Sequence, residues 1–251
     1  MHSKNIGYIL LLSVFISACT PKMWTITHAT SVKIPIDSGT EKLADKSYTE
    51  HLQPLKQQLG LKMNIVIGEA AETMKGHAPE SLLSNFSADV YRLAGTDYLG
   101  QAVDVSIVNL GGLRTVISAG NITVGKIYEL MPFENELVIL WLKGDKLLEL
   151  VQFFASVGGE GISGIRMEIN NGKAVNVTVN GSAINPEKIY SIATSDYLAG
   201  GNDKMFQLAQ SEKRQNTGIK LRDILLKYIK SETAKGNKIQ AKLDGRTTIS
   251  N

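Results

Sequence analysis

YSIATSDYLAGGND, residues 190–203, is the stretch on which the fold turns. Ile189 to Ala193 is rich in residues that suit a half-buried pleat and predicts a strand. The strand runs directly into Asp196-Tyr197-Leu198-Ala199-Gly200-Gly201-Asn202-Asp203. The two adjacent glycines permit an irregular loop. On such a loop Tyr197 can offer a ring for stacking and Asp203 a carboxylate for hydroxyl groups. By itself a segment of this kind is more often only a strand exit, so its meaning depends on what accompanies it.

Two similar segments lie upstream. A β-rich run, Val103 to Val108, ends in Asn109-Leu110-Gly111-Gly112-Leu113-Arg114, which sets an amide and a guanidinium around flexible backbone. An Arg can hold phosphate or a polyol with several donors at once, although a tight turn with a surface Arg is the blander reading. Pro132-Phe133-Glu134-Asn135 falls between a short helix, capped by Thr123 and running to Leu130, and the apolar strand Leu137 to Leu142. Phe133 can face a flat ligand, but a lone Phe is more often core.

The remaining elements follow from periodicity. Tyr48 to Leu59 has helical spacing, with Leu52, Leu55 and Leu59 on one stripe, and Leu61 to Gly68 alternates as a strand. Pro79-Glu80 opens a helix that buries Leu83, Phe86, Val90 and Leu93. Gly144-Asp145 opens another. Ile165 to Ile169 and Val175 to Val179 form a hairpin about Asn170-Asn171-Gly172. Leu221 to Ile229 is a last amphipathic helix, followed by a polar tail. Hairpins mixed with helical crossovers predict an α+β layered domain.

The 251 residues suffice for one sizeable core, and the net charge of +3 is too small and too dispersed for a nucleic-acid surface. No nucleic acid polymer is therefore expected as a partner. Cys19 is the single cysteine, which excludes an internal disulfide and a thiolate metal cluster. The four histidines, His2, His28, His51 and His77, are unpaired with ligands at metal spacing, so a two-metal hydrolase centre within this chain is not expected. There is no Gly-x-Ser-x-Gly elbow, and Gly158-Gly159-Glu160-Gly161 lacks the Lys-Ser/Thr of a phosphate-cradling loop. No catalytic residue is expected in this chain.

The N-terminal residues read as an address. Lys4 precedes an apolar run, Ile6 to Ile16, which is too short to anchor in a bilayer and suits a signal peptide. Ile16-Ser17-Ala18-Cys19 resembles the bacterial lipobox, which implies cleavage before Cys19, lipidation of its thiol and attachment to an extracytoplasmic membrane face. The expected organisation is a signal peptide over 1–18, a lipidated tether over 19–47, a folded domain over 48–232 and a polar tail over 233–251.

Five motifs in one register resemble the C-terminal, substrate-binding domain of the 5'-nucleotidase and UDP-sugar hydrolase family. They are Glu80 to Asp89, with Ser84 where the family has Gly; Asn109 to Arg114, with Leu110 in place of a Gly; Thr123 to Gly144, with Pro132-Phe133; Gly164 before a strand; and Tyr190 to Asp203. The resemblance implies a four-layer α/β/β/α domain. It also implies that Phe133 and Tyr197 sandwich a base, Asp203 holds the ribose diol, Asn109 reaches the base edge and Arg114 contacts the substrate. A second substrate-contacting Arg of the family falls near His77, which would weaken that contact or make it pH-dependent. The family's Gly-Gly-Asp-Gly becomes Gly201-Asn202-Asp203-Lys204, where Asn is the easier replacement because it tolerates positive φ.

No counterpart of the family's metal-bearing N-terminal domain is expected upstream of Tyr48. The expectation is thus the nucleotide-binding half of a split 5'-nucleotidase. A separately encoded metallophosphatase would supply a divalent metal pair, with no cofactor in this chain and Leu52, Leu55 and Leu59 as the candidate contact. The alternatives are a stand-alone nucleoside- or nucleotide-binding lipoprotein without hydrolase activity, or a scaffold that kept the fold and lost the site.

Overall fold

The computed structural model describes residues 24–250. The expected signal peptide and Cys19 lie outside the described residues. Two compact units divide the chain at Leu52. In the first, residues 24–36 have no regular structure and Trp24, Ile26, Val32, Ile34 and Ile36 are exposed. Helix α1 (Ser38–Glu41) follows, its N-terminus held by Asp37, whose carboxylate accepts from the amides of Gly39 and Thr40. Helix α2 (Lys46–Met63) crosses the division and buries none of its side chains.

The second unit carries strand β1 (Val66–Ala70), helix α3 (Leu82–Leu99), β2 (Val105–Val108), β3 (Gly120–Thr123), α4 (Val124–Leu130), β4 (Glu136–Lys143) and α5 (Gly144–Ser156). There follow β5 (Gly161–Ser163), β6 (Ile165–Asn170), β7 (Lys173–Val179), β8 (Ser182–Ala183), β9 (Ile189–Ser195), α6 (Asp196–Ala199), β10 (Lys213–Lys220), α7 (Leu221–Ala234) and β11 (Thr247–Ser250).

A five-stranded sheet in the order β10-β4-β9-β2-β5 forms the centre. Within it β2 and β9 are parallel and the other pairs antiparallel. Strand β4 shows why it reads as a continuous apolar run: both of its faces are buried. Leu137 and Ile139 enter one core, with α3, α4, α7 and the β1–β3 pair, while Val138, Leu140 and Leu142 enter the other. That second core is closed by α5 and by a four-stranded sheet, β11-β6-β7-β8. Each fully buried Leu, Ile or Val contributes roughly 1.5–3 kcal/mol, so the two cores hold the central sheet from both sides. The result is the expected α+β domain of α/β/β/α type.

Local signals explain the boundaries. Helix α3 starts after Ser81, whose hydroxyl accepts from the Ser84 amide at 3.3 Å, and stops at Gly100 in the left-handed region (φ 67°). The β6–β7 turn takes positive φ at Asn171 and Gly172, as a tight hairpin turn requires. Two expectations need correction. The strand expected from Leu61 starts only at Val66, because α2 continues through the good helix formers Leu61-Lys62-Met63. The residues after α7, read as a polar tail, pair with two sheets: Ile239 bridges Ala70, and β11 runs parallel to β6. Arg246 in this segment is buried.

Candidate functional site

Strand directions bring distant residues together. Strands β2 and β9 are parallel neighbours, so the segments after them leave at the same end of the sheet. Strand β4 is antiparallel to β9, with Leu137 opposite Ser195, so the segment before β4 meets that same end. Residues 109–114, 132–135 and 196–203 therefore converge. Between them lies a cavity of about 370 Å³, whose walls include Asn109, Arg114, Phe133, Tyr197 and Asp203. Its floor is apolar, formed by Ile107, Met131 and Leu221 together with Tyr91 of α3. This size is within the usual range for a small-molecule site.

The polar groups of the rim are tied to one another. The Asn109 amide nitrogen Nδ2 donates to Asp203 Oδ2 at 2.6 Å, and the Tyr197 hydroxyl donates to Asp203 Oδ1 at 2.8 Å. This bond to Asp203 raises the Tyr197 phenol above its ordinary value. Gly112 makes room for the arrangement: a β-carbon there would lie 2.6 Å from Asn109 Oδ1. Ser195 caps α6 by accepting from the Leu198 amide, and Asn202 Nδ2 donates to the Tyr197 carbonyl, which fixes the backbone beneath the Tyr197 ring. Arg114 is exposed and donates to the Gly111 carbonyl at 3.0 Å. The rings of Phe133 and Tyr197 are 44% and 42% exposed, far more than a core aromatic.

Sequence reasoning missed three participants. Glu160 comes from the glycine-rich segment before β5, and its Oε2 accepts from the Leu110 amide at 2.7 Å. Burial pushes its carboxyl up to about 7, opposed by the Leu110 N–H and assisted by the nearby charge of Asp203. Its neighbour Gly159 has φ 122°, and a β-carbon there would strike the Pro79 carbonyl at 2.6 Å. The second is Arg222 of α7, buried over the Tyr128 ring at 4.1 Å and donating to the Phe133 carbonyl at 3.4 Å. It pairs with Glu134, which Lys220 and Arg222 together hold at about 2. The third is Tyr91. A single Glu among glycines, or an Arg or Tyr inside a helical stripe, carries no sequence signal of a site.

His77 is exposed, its ring Nδ1 lies 3.0 Å from the Ala78 carbonyl, and it is not among the residues lining the cavity. Among the described residues no group of three or more His, Cys, Asp or Glu side chains is placed to hold a metal ion. No helix among them is long and apolar enough to cross a membrane. The site thus offers two half-exposed aromatic rings, a carboxylate acceptor at Asp203 and an exposed cation at Arg114.

Comparison with known proteins identifies the domain. The model of the family described as 5'-nucleotidase, C-terminal domain, matches residues 66–210. A 5'-nucleotidase of Vibrio parahaemolyticus is 23% identical over 80% of this chain and 38% of its own length. The trifunctional nucleotide phosphoesterase YfkN of Bacillus subtilis is 27% identical over 85% of this chain and 16% of its own. Among solved structures, the 5'-nucleotidase precursor of Thermus thermophilus superimposes with a TM-score of 0.71 at 28% identity, covering 81% of this chain and 43% of that one. The chain thus spans less than half the length of these relatives.

Proposed function

The chain belongs to the 5'-nucleotidase C-terminal domain family, and from that premise we propose that it is the nucleotide-binding half of a split 5'-nucleotidase. The observation that carries this reading is the convergence of Asn109, Arg114, Phe133, Tyr197 and Asp203 on one cavity. Phe133 and Tyr197 stack on the two faces of the base, Asp203 accepts the ribose hydroxyls, and Asn109 reaches the base edge. Arg114, exposed at the rim, meets the phosphate side. His77 has no role in this scheme, since it lies away from the cavity lining.

A separately encoded metallophosphatase supplies the metal pair and the water that attacks phosphorus. This chain binds and orients the nucleotide for it. Exposed Leu55 and Leu59 on α2, a helix with no buried side chain, offer that partner an apolar stripe. The lipobox-like Ile16-Ser17-Ala18-Cys19 supports anchoring through a lipid on Cys19, on an extracytoplasmic membrane face. Replacing Cys19 by Ser then moves the chain from the membrane to the soluble fraction of expressing bacteria.

The test is calorimetric titration of the chain with adenosine, AMP and UDP-glucose, and then phosphate release after a candidate metallophosphatase is added. Saturable binding that is lost in Phe133→Ala/Tyr197→Ala supports the site. Binding without release by any partner favours the stand-alone binder. Release unaffected by the double variant rules out a role for this cavity.

A further inference from the structure

Tyr91 sits on α3 with its side chain fully buried (0% exposed), and it lines the floor of the cavity. Its hydroxyl has no hydrogen-bond partner among the described residues. Leaving a buried hydroxyl unpaired is unfavourable, and a Phe would fill the same space without that penalty. Such a group in a folded protein calls for an explanation. The other buried hydroxyls without a partner among the described residues, on Ser87, Ser106 and Thr247, do not line this cavity. Tyr91 alone joins the two properties.

The layout of the cavity indicates what would meet the hydroxyl. Phe133 and Tyr197 stand half-exposed at the rim, whereas Tyr91, Ile107 and Met131 are at most 4% exposed below them. A flat ring held between the rim aromatics turns one edge toward that floor. Ile107, Met131 and Leu221 offer that edge no hydrogen bond, and the buried Ser195 hydroxyl that also lines the cavity is engaged by the Leu198 amide, so a polar substituent on that edge has Tyr91 to pair with. A phenol both donates and accepts, so it suits an amino or a carbonyl group and has nothing to offer a bare C–H.

We infer that Tyr91 is a specificity-determining residue, whose hydroxyl pairs with a polar substituent on the deep edge of a bound purine base. This rests on the nucleotide-binding reading above. Because the hydroxyl has no protein partner among the described residues, pairing it with a ligand adds affinity without breaking a protein hydrogen bond.

The experiment compares adenosine, inosine and purine riboside, which carries only hydrogen at the purine 6-position, on the full chain and on Tyr91→Phe. Urea unfolding of both proteins accompanies the titrations. Wild type is expected to bind adenosine or inosine about tenfold more tightly than purine riboside. Tyr91→Phe brings the three within about twofold while leaving purine riboside unchanged, and the free variant is at least as stable as wild type. Discrimination that survives in Tyr91→Phe overturns the inference. So does a variant that weakens all three ligands alike and unfolds more easily, which would mark a packing role. If wild type binds all three equally, the nucleoside site stands and the inference falls. If it binds none, both fall.

Discussion

Asn109 and Asp203 are 94 positions apart in the chain and are joined by a 2.6 Å hydrogen bond from Nδ2 to Oδ2. The bond spans the exits of two parallel strands, β2 and β9, so the central sheet sets the distance between the two groups. Asp203 also accepts from the Tyr197 hydroxyl. A carboxylate has about four lone-pair sites, so two acceptors remain for a ligand after both protein donors are served. The rim is organised before anything binds, which reduces the ordering that binding must oppose.

That arrangement makes a specific demand on the ligand. Asp203→Ala is expected to weaken adenosine by about 1.5–3 kcal/mol, as for hydrogen bonds to a charged group. The affinity for 2',3'-dideoxyadenosine, which lacks the hydroxyls, stays close to that of wild type. Titration of both ligands decides the matter. An equal loss for the two would mean that Asp203 acts only by holding Asn109 and Tyr197 in place.

Glu160 gives the protein a pH dependence that can be measured without ligand. Its carboxyl is raised to about 7 in the folded state, above the ordinary 4.5 of the unfolded chain, chiefly by burial. The folded state therefore holds this proton more tightly. Its contribution is fully present below about pH 4.5 and is lost as pH rises through about 7. Glu160→Gln retains an acceptor for the Leu110 amide and carries no charge. The variant should match wild type near pH 4.5 and exceed it above pH 7, by on the order of 1–2 kcal/mol. Urea midpoints at the two pH values test this, and a variant less stable than wild type at pH 8 would contradict it.

What could be read from the sequence was the part carried by period and by strand exits. The β4 run, the Asn171-Gly172 turn and the three converging segments were all visible, because each depends on neighbours in the chain. Phe133 and Tyr197 were legible only through their place in those segments. Glu160, Arg222 and Tyr91 were not, because each reaches the site through tertiary packing. Glu160 contacts a backbone amide fifty positions away, and Arg222 reaches the Phe133 carbonyl from another helix. The C-terminal segment was missed for a related reason. Strand β11 is short and polar at the edge of its sheet, so it has no alternation to announce it.

Arg246 tests whether that C-terminal segment matters to the fold. Its guanidinium reaches both oxygens of Asp89 on α3, at 2.8 and 3.1 Å, both oxygens of Asp244, and the Ile162 carbonyl of β5. It thus ties the segment to a helix and to the central sheet. Arg246 is buried, whereas Asp89 and Asp244 are exposed and regain water if it is removed, so the loss falls on its packing and on the Ile162 carbonyl. Arg246→Ala is expected to destabilise the domain by about 1–2 kcal/mol. A loss within 0.5 kcal/mol, the usual range of a surface substitution, would show that the segment is held by its strand alone.

Lys204 carries the clearest backbone strain in the site, and it stands where the family pattern has a glycine. Its φ is 64°, next to Asp203 at 53°, whereas the neighbouring replacement, Asn202, does not have positive φ. The left-handed region is thus occupied by a Lys, to which it is unfavourable by about 1–2 kcal/mol, rather than by the more tolerant Asn. Lys204→Gly removes that strain but widens the unfolded ensemble, which opposes the gain by about 0.4–1 kcal/mol. The net expectation is a gain of up to about 1.5 kcal/mol in unfolding free energy. Adenosine affinity should stay unchanged, since the Asp203 carboxylate is held by Asn109 and Tyr197. A more stable variant with weaker adenosine binding would mean that the strained backbone itself positions Asp203. A less stable variant would place the Lys204 side chain, not its φ, in control of the loop.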